Sequence, residues 1–303
     1  MFQRMVSPLV AGIVFIALCF ITSLLPCGGL VFADDLPTIR EKGVLRHLGI
    51  PYANFVSEDG KEGLDVELMR LFAQHLGVRY EYVPTSWETV IGDLTGKKFD
   101  AKGDHVVVVA DIPIKGDVIA NGFTILPLRQ KMVAFSLPTF WTQIWLSARF
   151  DSPIKPIQPT GNIDNDILAV RSLLKGHRVL GKVDTCLDPA LYNLHETGAN
   201  AYNFDGDLGR IAFEIVKGDV DLALLDMPDA LIALEKWPGQ IKIIGPLSPV
   251  QNMACAFAND SVLLRESFNE FFKKILQDGT YLKVVKKYYP SFSVYYPKFF
   301  NRD

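Results

Sequence analysis

The feature that most constrains the fold is an alternation of short apolar strands with amphipathic helices. Residues 46–50 predict a strand, and residues 64–76 carry apolar side chains at helical spacing, followed by Gly77 as a helix-ending residue. Residues 78–83 predict a second strand and residues 87–94 a second, short helix. This βαβα order favours a sheet of mostly parallel strands covered by helices.

A second alternation follows a surface loop at residues 151–165, which is rich in Pro, Gly, Asp and Asn. The further predicted strands and helices are, in chain order, 178–183 (strand), 188–194 (helix), 208–217 (helix), 220–225 (strand), 228–236 (helix), 240–244 (strand), 261–277 (a long amphipathic helix) and 281–288 (helix). We therefore expect an α/β protein with two units of ordinary domain size.

Residues 1–33 predict a secretory signal peptide. Arg4 precedes an apolar run over residues 9–25, and small residues before Asp34 suit cleavage there, which leaves a mature chain of roughly 270 residues. Two alternatives stay open. The run is near the length that spans a membrane, so an uncleaved anchor is one. A lipoprotein is the other, although the proline before Cys27 argues against it.

Charge and cysteine content exclude some functions. Without Arg4 the net charge of −3 becomes about −4, so the mature chain offers no basic stripe for nucleic acid and no polybasic membrane patch. Cys186 and Cys255 are the cysteines that remain after cleavage. An oxidising compartment would permit a disulfide between them.

The chemistry of the chain centres on Arg129 and Asp226. Arg129 follows a small-residue turn that contains Thr124, and Asp226 ends the predicted strand 220–225. A guanidinium matches a carboxylate and an aspartate accepts from an ammonium, so the pair suits a small zwitterion. The sequence has no nucleophile elbow, phosphate loop or metal-spaced His/Cys cluster, and we expect no catalytic residue, no metal and no cofactor.

Four motifs in order, at residues 63–68, 124–138, 218–226 and 277–288, carry a resemblance to a known family. The chain resembles the bacterial extracellular (periplasmic) solute-binding proteins of family 3, the polar amino-acid receptors of ABC transporters. The resemblance covers nearly all of the mature chain.

The resemblance implies an α/β, two-lobe periplasmic-binding-protein (type II) fold, in which each lobe is a mixed, mostly parallel sheet flanked by helices. After the signal peptide at 1–33, lobe 1 is expected at 34–140, lobe 2 at 141–248, and the returning part of lobe 1 at 249–303. Ligand would bind in the cleft between lobes that close like a Venus flytrap. A disulfide between Cys186 and Cys255 would clamp that motion, so we expect two free thiols.

The resemblance also assigns ligand-binding residues. Arg129 would hold the α-carboxylate with help from Thr124, beside Gly122, where the backbone comes close to the ligand. Asp226 would accept from the α-ammonium, although an aspartate at this position is also a common helix N-cap.

An aromatic wall and a helix start complete the predicted ligand site. Tyr52 would pack on the ligand side chain and Trp87 could line the same wall, with core packing as the alternative for both. Thr185 stands at a helix start that favours anions.

Three departures from the family pattern bear on the pocket. Leu126 stands where the family often has threonine, and Asp184 replaces a glycine. Residues 97–114 resemble an insertion that could form an extra hairpin.

The function that the resemblance implies is a non-enzymatic periplasmic receptor. It would capture a small zwitterion, an amino acid, as a monomer and deliver it to an inner-membrane ABC permease. Two alternatives stay open: a dehydratase-like enzyme on the same fold that uses a cleft carboxylate, and an accessory or sensor protein that is not coupled to transport.

Overall fold

The computed structural model describes residues 33–102, 105–290 and 292. Apart from its last residue, the predicted signal peptide lies outside the described residues, as does Cys27. Within the described ranges, no helix has both the length and the apolar character needed to cross a membrane.

The strands are β1 (Val44–Gly49), β2 (Arg79–Pro84), β3 (Lys97–Lys102), β4 (His105–Asp111), β5 (Val118–Ile119), β6 (Ala134–Phe135), β7 (Phe140–Thr142), β8 (Ile144–Arg149), β9 (Arg178–Gly181), β10 (Asn200–Asn203), β11 (Leu222–Asp226), β12 (Ile241–Pro246), β13 (Gln251–Met253) and β14 (Ala256–Phe257). The α-helices are α1 (Leu36–Lys42), α2 (Leu64–Leu76), α3 (Val90–Thr95), α4 (Pro127–Gln130), α5 (Ile163–Ser172), α6 (Ile211–Lys217), α7 (Met227–Lys236), α8 (Val262–Gln277) and α9 (Thr280–Tyr288). Short 3₁₀ helices occupy Pro189–Tyr192, Leu194–Thr197 and Leu208–Arg210.

The first sheet has the strand order β2-β1-β5-β14-β6. Strand β1 runs parallel to β2 and β5, whereas β14 pairs antiparallel with β5 and β6. This sheet therefore takes an inner strand from near the end of the chain. Phe72 of α2 packs edge-on against Phe268 of α8, which in turn stacks on Phe272. Burial of these rings holds α2 and α8 together beside the sheet.

The second sheet has the order β10-β9-β11-β8-β12. Strand β9 is parallel to β10 and β11, whereas β8 is antiparallel to β11 and β12. Between the two sheets, β7 and β13 pair antiparallel and form the two connecting strands. This is the two-lobe type II architecture. The lobe limits 34–140, 141–248 and 249–303 remain a prediction.

The residues at the helix ends explain why some observed helices agree with the predicted bounds and others differ from them. Gly77 ends α2 with a φ of 74°, in agreement with its predicted role. The predicted helix at 188–194 is instead a pair of 3₁₀ helices, because Asn193 adopts a left-handed φ of 50° and interrupts it. Helix α1 was not predicted. Asp35 Oδ1 caps it through Leu36 N at 2.8 Å, and also accepts from Leu264 N at the start of α8 at 2.7 Å.

The hairpin predicted within residues 97–114 is present as the antiparallel pair of β3 and β4. Three consecutive valines of β4, Val107 to Val109, are each more than half exposed. The two strands form a sheet of their own, apart from the two five-stranded sheets.

Candidate functional site

Asp226 lies at the junction of strand β11 and helix α7. It is completely buried, and its Oδ1 accepts from the Met227 backbone N–H at 3.0 Å as the helix N-cap. The same oxygen accepts from the Thr142 hydroxyl of β7. Capping therefore uses only part of the carboxylate, which leaves the other oxygen directed towards the rest of the site.

Tyr52 meets Asp226 from the turn after β1. Its hydroxyl donates to Asp226 Oδ2 at 3.1 Å, and its ring stacks on Phe55 with 5.9 Å between centroids. Trp87 contacts the Tyr52 ring edge-on at 5.7 Å. The two aromatic residues predicted to form a wall thus lie together, and the Tyr52 hydroxyl links this turn to the second sheet.

Arg129 is held in the short helix α4 with its guanidinium inside the protein. The side chain is 5% exposed, and Nη1 donates to the Thr124 carbonyl at 2.9 Å. The guanidinium lies 4.0 Å from the centroid of the Phe123 ring and 5.9 Å from that of Trp87. No carboxylate of the described residues forms an ion pair with it, and burial lowers the pKa of Arg129 to about 10. The guanidinium keeps several donors for an anion.

Gly122 and Thr124 form the turn before α4. Gly122 has a φ of 66°, and a Cβ placed there would lie 2.6 Å from the Phe55 ring. Its N–H donates to Asp65 Oδ2 at 2.6 Å, so a buried carboxyl fixes the turn. Thr124 is 1% exposed, and its Oγ1 has no hydrogen-bond partner among the described residues. Leu126, at the N-cap of α4, supplies no capping side chain.

The segment after β9 brings Cys186 to the site rather than the hydroxyl of Thr185. Thr185 Oγ1 donates to the Lys182 carbonyl at 2.7 Å and accepts from Leu187 N at 3.1 Å, within its own turn. Cys186 is buried, and its thiol donates a hydrogen bond to Asp226 Oδ2 with 3.4 Å between Sγ and the oxygen. Asp184 is exposed, with a left-handed φ of 63° that suits the glycine it replaces.

Cys186 and Cys255 are both free thiols in the structure. This agrees with the prediction of two free thiols, made because a disulfide between them would clamp the motion of the lobes. Burial raises the pKa of each thiol well above its usual value. Cys186 was not identified as a site residue from the sequence, although its position directly after Thr185 was the available signal.

Asp229 is a second acidic residue that sequence reasoning missed. It lies in the first turn of α7, three residues after Asp226, and is 7% exposed. Burial raises the pKa of Asp226 to about 7 and that of Asp229 to about 8, and the charge of Asp226 raises the latter further. The i, i+3 spacing at a helix start was the signal, because it places both carboxyls on one side of α7.

Together these contacts make one buried cluster with a cationic and an acidic part. The cationic part is Arg129, whose charge acts on Asp226 and Cys186. The acidic part is Asp226 with Asp229, and Tyr52 touches it. Among the described residues, no group of three or more His, Cys, Asp or Glu side chains is arranged to hold a metal ion. The arrangement suits a ligand that carries both a carboxylate and an ammonium.

Comparison with known proteins gives a family and a set of relatives. The family model "Bacterial extracellular solute-binding proteins, family 3" matches residues 48–108 and 114–291. The L-cystine-binding protein TcyJ of Escherichia coli (strain K12) is 25% identical over 265 residues, covering 85% of this chain and 88% of the relative. The membrane-bound lytic murein transglycosylase F of Desulfosudis oleivorans is 24% identical over 266 residues, covering 84% of this chain. The chain spans about half of that relative, 51% of its length.

Among solved structures, the ancestral amino acid-binding protein AncCDT-1, described as a precursor of cyclohexadienyl dehydratase, superposes with a TM-score of 0.65. It is 24% identical, and the match covers 84% of this chain and 98% of that one, which supports the fold. The family match extends over most of the chain, on both sides of a break at residues 109–113 within and just after β4. The chain therefore belongs to the bacterial extracellular solute-binding proteins, family 3.

Proposed function

We propose that this protein is a periplasmic receptor that captures a small zwitterion, an amino acid, between its two lobes. The observation that carries the proposal is the pairing of a buried Arg129 guanidinium, which has no carboxylate partner among the described residues, with the buried Asp226 carboxyl in one cluster. Arg129 would bind the ligand α-carboxylate through paired N–H donors, and Asp226 would accept from the α-ammonium.

Binding and closure are linked in this mechanism because each lobe supplies a different part of the site. On the predicted lobe limits, Gly122, Thr124 and Arg129 belong to the first lobe, as do Tyr52 and Trp87. Asp226 and Cys186 belong to the second. A ligand that contacts both groups stabilises the closed arrangement over an open one. Thr185 would contribute its backbone at the turn rather than its hydroxyl, which is engaged locally.

The cellular role extends this proposal. The predicted signal peptide at 1–33 and the names of the relatives support export to the periplasm, and the family supports delivery of the ligand to an inner-membrane ABC importer. We propose that the protein acts as a monomer and without a cofactor. An accessory or sensor role is the alternative use of the same binding event.

A second candidate is a dehydratase-like enzyme, which Asp229 favours. A carboxyl group with a pKa of about 8 is largely protonated at neutral pH and can donate a proton to a leaving group. The matched structure AncCDT-1 is named as a precursor of such an enzyme. Turnover of prephenate or arogenate by the purified protein would establish this activity. Binding of an amino acid without turnover favours the receptor.

The test of the receptor proposal is a thermal-shift screen of the mature protein against amino acids, oligoamines and organic acids, followed by calorimetry on each ligand that stabilises it. Arg129→Ala should weaken binding of a carboxylate ligand by about 100-fold, because a charge-assisted bidentate contact is lost. Arg79→Ala is the control, since Arg79 is exposed and pairs with Glu81 at the surface. If no amino acid stabilises the protein, or if Arg129→Ala binds as tightly as the wild type, the proposal is wrong.

A further inference from the structure

The carboxylate oxygens of Asp226 and Asp229 differ in how many hydrogen bonds they already accept within the protein. Asp226 accepts from the Thr142 hydroxyl and Met227 N at Oδ1, and from the Tyr52 hydroxyl and the Cys186 thiol at Oδ2. These four donors occupy the lone pairs of the Asp226 carboxylate, so an ammonium that binds there must displace one of them, and the Cys186 thiol is the weakest donor of the four. Asp229 Oδ2, in contrast, is buried and has no hydrogen-bond partner among the described residues. The acceptor capacity of the cluster therefore lies mainly on Asp229.

The charges of the cluster do not balance with a simple zwitterion. Arg129 contributes one positive charge, and ionised Asp226 and Asp229 contribute two negative charges, so a neutral ligand would leave one buried negative charge uncompensated. Such a charge is costly, and the alternatives are a proton on one carboxyl or a second positive charge on the ligand. An extra ammonium would compensate that charge and would meet the open Oδ2 of Asp229.

We propose that Asp229 forms, with Asp226 and the Tyr52 hydroxyl, an acidic subsite that selects a short diamino acid, a ligand with one carboxylate and two ammonium groups. Asp226 is the N-cap of α7 and Asp229 lies in its first turn, and the charge of Asp226 acts on Asp229, so the two carboxyls are close to one another. The two ammonium groups must then be close as well, which favours a short side chain. Thr124 Oγ1 is buried on the Arg129 side near the Cys186 thiol and has no hydrogen bond of normal geometry among the described residues, so it is a second polar atom available to a ligand. This inference rests on the proposed receptor function.

Protons and the second ammonium compete for the subsite. The titratable groups that interact with Asp229 are Tyr52 after β1, Asp226 at the end of β11 and Tyr289 after α9, and none of them supplies a positive charge. Cys186, after β9, interacts with Tyr52 and Asp226, and Arg129 of α4 acts on Asp226. Binding of a diamino acid would therefore release a proton from Asp229, whereas a mono-amino acid leaves that proton in place.

The experiment compares two ligands with the same carbon skeleton, L-2,4-diaminobutyrate and L-2-aminobutyrate, by calorimetry on the full mature protein. The wild type should bind the diamino acid at least about tenfold more tightly, since a charge-assisted contact to a buried carboxylate is gained. Ionisation of Asp226 should strengthen binding of both ligands between pH 6 and pH 8, whereas ionisation of Asp229 should strengthen only the diamino acid, so the preference for the diamino acid should rise about tenfold over this range.

Asp229→Asn should remove both the preference and its pH dependence, so that the two ligands bind with similar affinity at each pH. Asp229→Ser is a second neutral variant in case the amide disturbs Tyr52, and circular dichroism checks that both fold. Equal affinities for the two ligands in the wild type, or an unchanged preference in both variants, would overturn the subsite. If the wild type binds no amino acid, or if Arg129→Ala binds amino acids as tightly as the wild type, the receptor function is wrong, and the subsite with it.

Discussion

The hydroxyl of Tyr52 donates to Asp226 Oδ2 over 3.1 Å, and both residues are buried. This bond joins the turn after β1 in the first lobe to the end of β11 in the second. A polar contact between lobes at this point means that closure satisfies a carboxylate that must otherwise be hydrated.

Tyr52→Phe removes that donor while keeping the ring. We expect the free energy of unfolding to fall by about 1–2 kcal/mol, because Asp226 loses one of its hydrogen bonds in a buried environment. Urea titration of the ligand-free protein measures the change. Tyr288→Phe is the matched control, since its hydroxyl donates to Glu67 near the surface and should cost less than about 0.5 kcal/mol. Equal losses in the two variants would contradict the importance of the contact between lobes.

The stability of the ligand-free protein should decrease as pH rises from about 4 to about 8. Burial raises the pKa of Asp65 and Asp226 to about 7 and that of Asp229 to about 8, from 3.8. A carboxyl whose pKa is raised by folding stabilises the fold below its unfolded pKa, and this contribution is lost as pH rises through the folded value. With the three carboxyls titrating independently, we expect the free energy of unfolding to fall by about 5 kcal/mol between pH 6 and pH 8.

His47 acts in the opposite direction at acid pH. It is buried, and burial lowers its pKa from 6.5 to about 4, so its contribution is present above pH 6.5 and is lost as pH falls towards 4. Denaturant titrations across pH 4–9 measure this dependence. As pH rises, the free energy of unfolding should fall less in Asp65→Asn than in the wild type. A wild-type stability that rises from pH 6 to pH 8 would show that these carboxyls are not buried as described.

Gly122→Ala should destabilise the protein by about 2–4 kcal/mol. The substitution adds a Cβ at a left-handed φ and 2.6 Å from the ring of Phe55, so conformational strain and overpacking add together. Gly176→Ala separates the two effects, because Gly176 has a φ of 79° but no heavy atom within 4 Å of the new Cβ. We expect about 1 kcal/mol for this control in thermal unfolding, and a similar loss at both positions would rule out the steric contribution.

The two thiols should differ in reactivity towards a maleimide. The Cys186 thiol donates to Asp226 and interacts with Arg129 and Thr124, so opening of the cleft should expose it. Cys255, in contrast, is bound to the Ser136 segment through backbone and hydroxyl contacts. We expect Cys186 to be modified at least about tenfold faster, and a bound ligand to slow it by a similar factor. Peptide mapping by mass spectrometry follows both sites in one sample, with Cys255 as the internal control. Equal rates with and without ligand would contradict cleft closure.

Much of the fold could be predicted because apolar periodicity survives in the sequence. Helix α2 and strand β11 lie close to their predicted bounds, since each buries a regular pattern of apolar residues. Strand β10 was missed because all four of its residues are exposed, so no buried face marks it. Asp229 and Cys186 could not be identified as site residues because their significance depends on burial and on neighbours from other segments.

The position of β14 has a consequence for the order in which the protein folds. Ala256 pairs with Ile119 and Phe135, and the whole second sheet lies between them in the sequence. The second sheet is built from one continuous stretch, so it can assemble first, whereas the first sheet must wait for nearly the entire chain and close a very long loop. We expect pulsed hydrogen exchange during refolding to protect β9 and β11 before β1 and β5. An unfinished first sheet would keep a newly made chain from maturing until its C-terminal part is available.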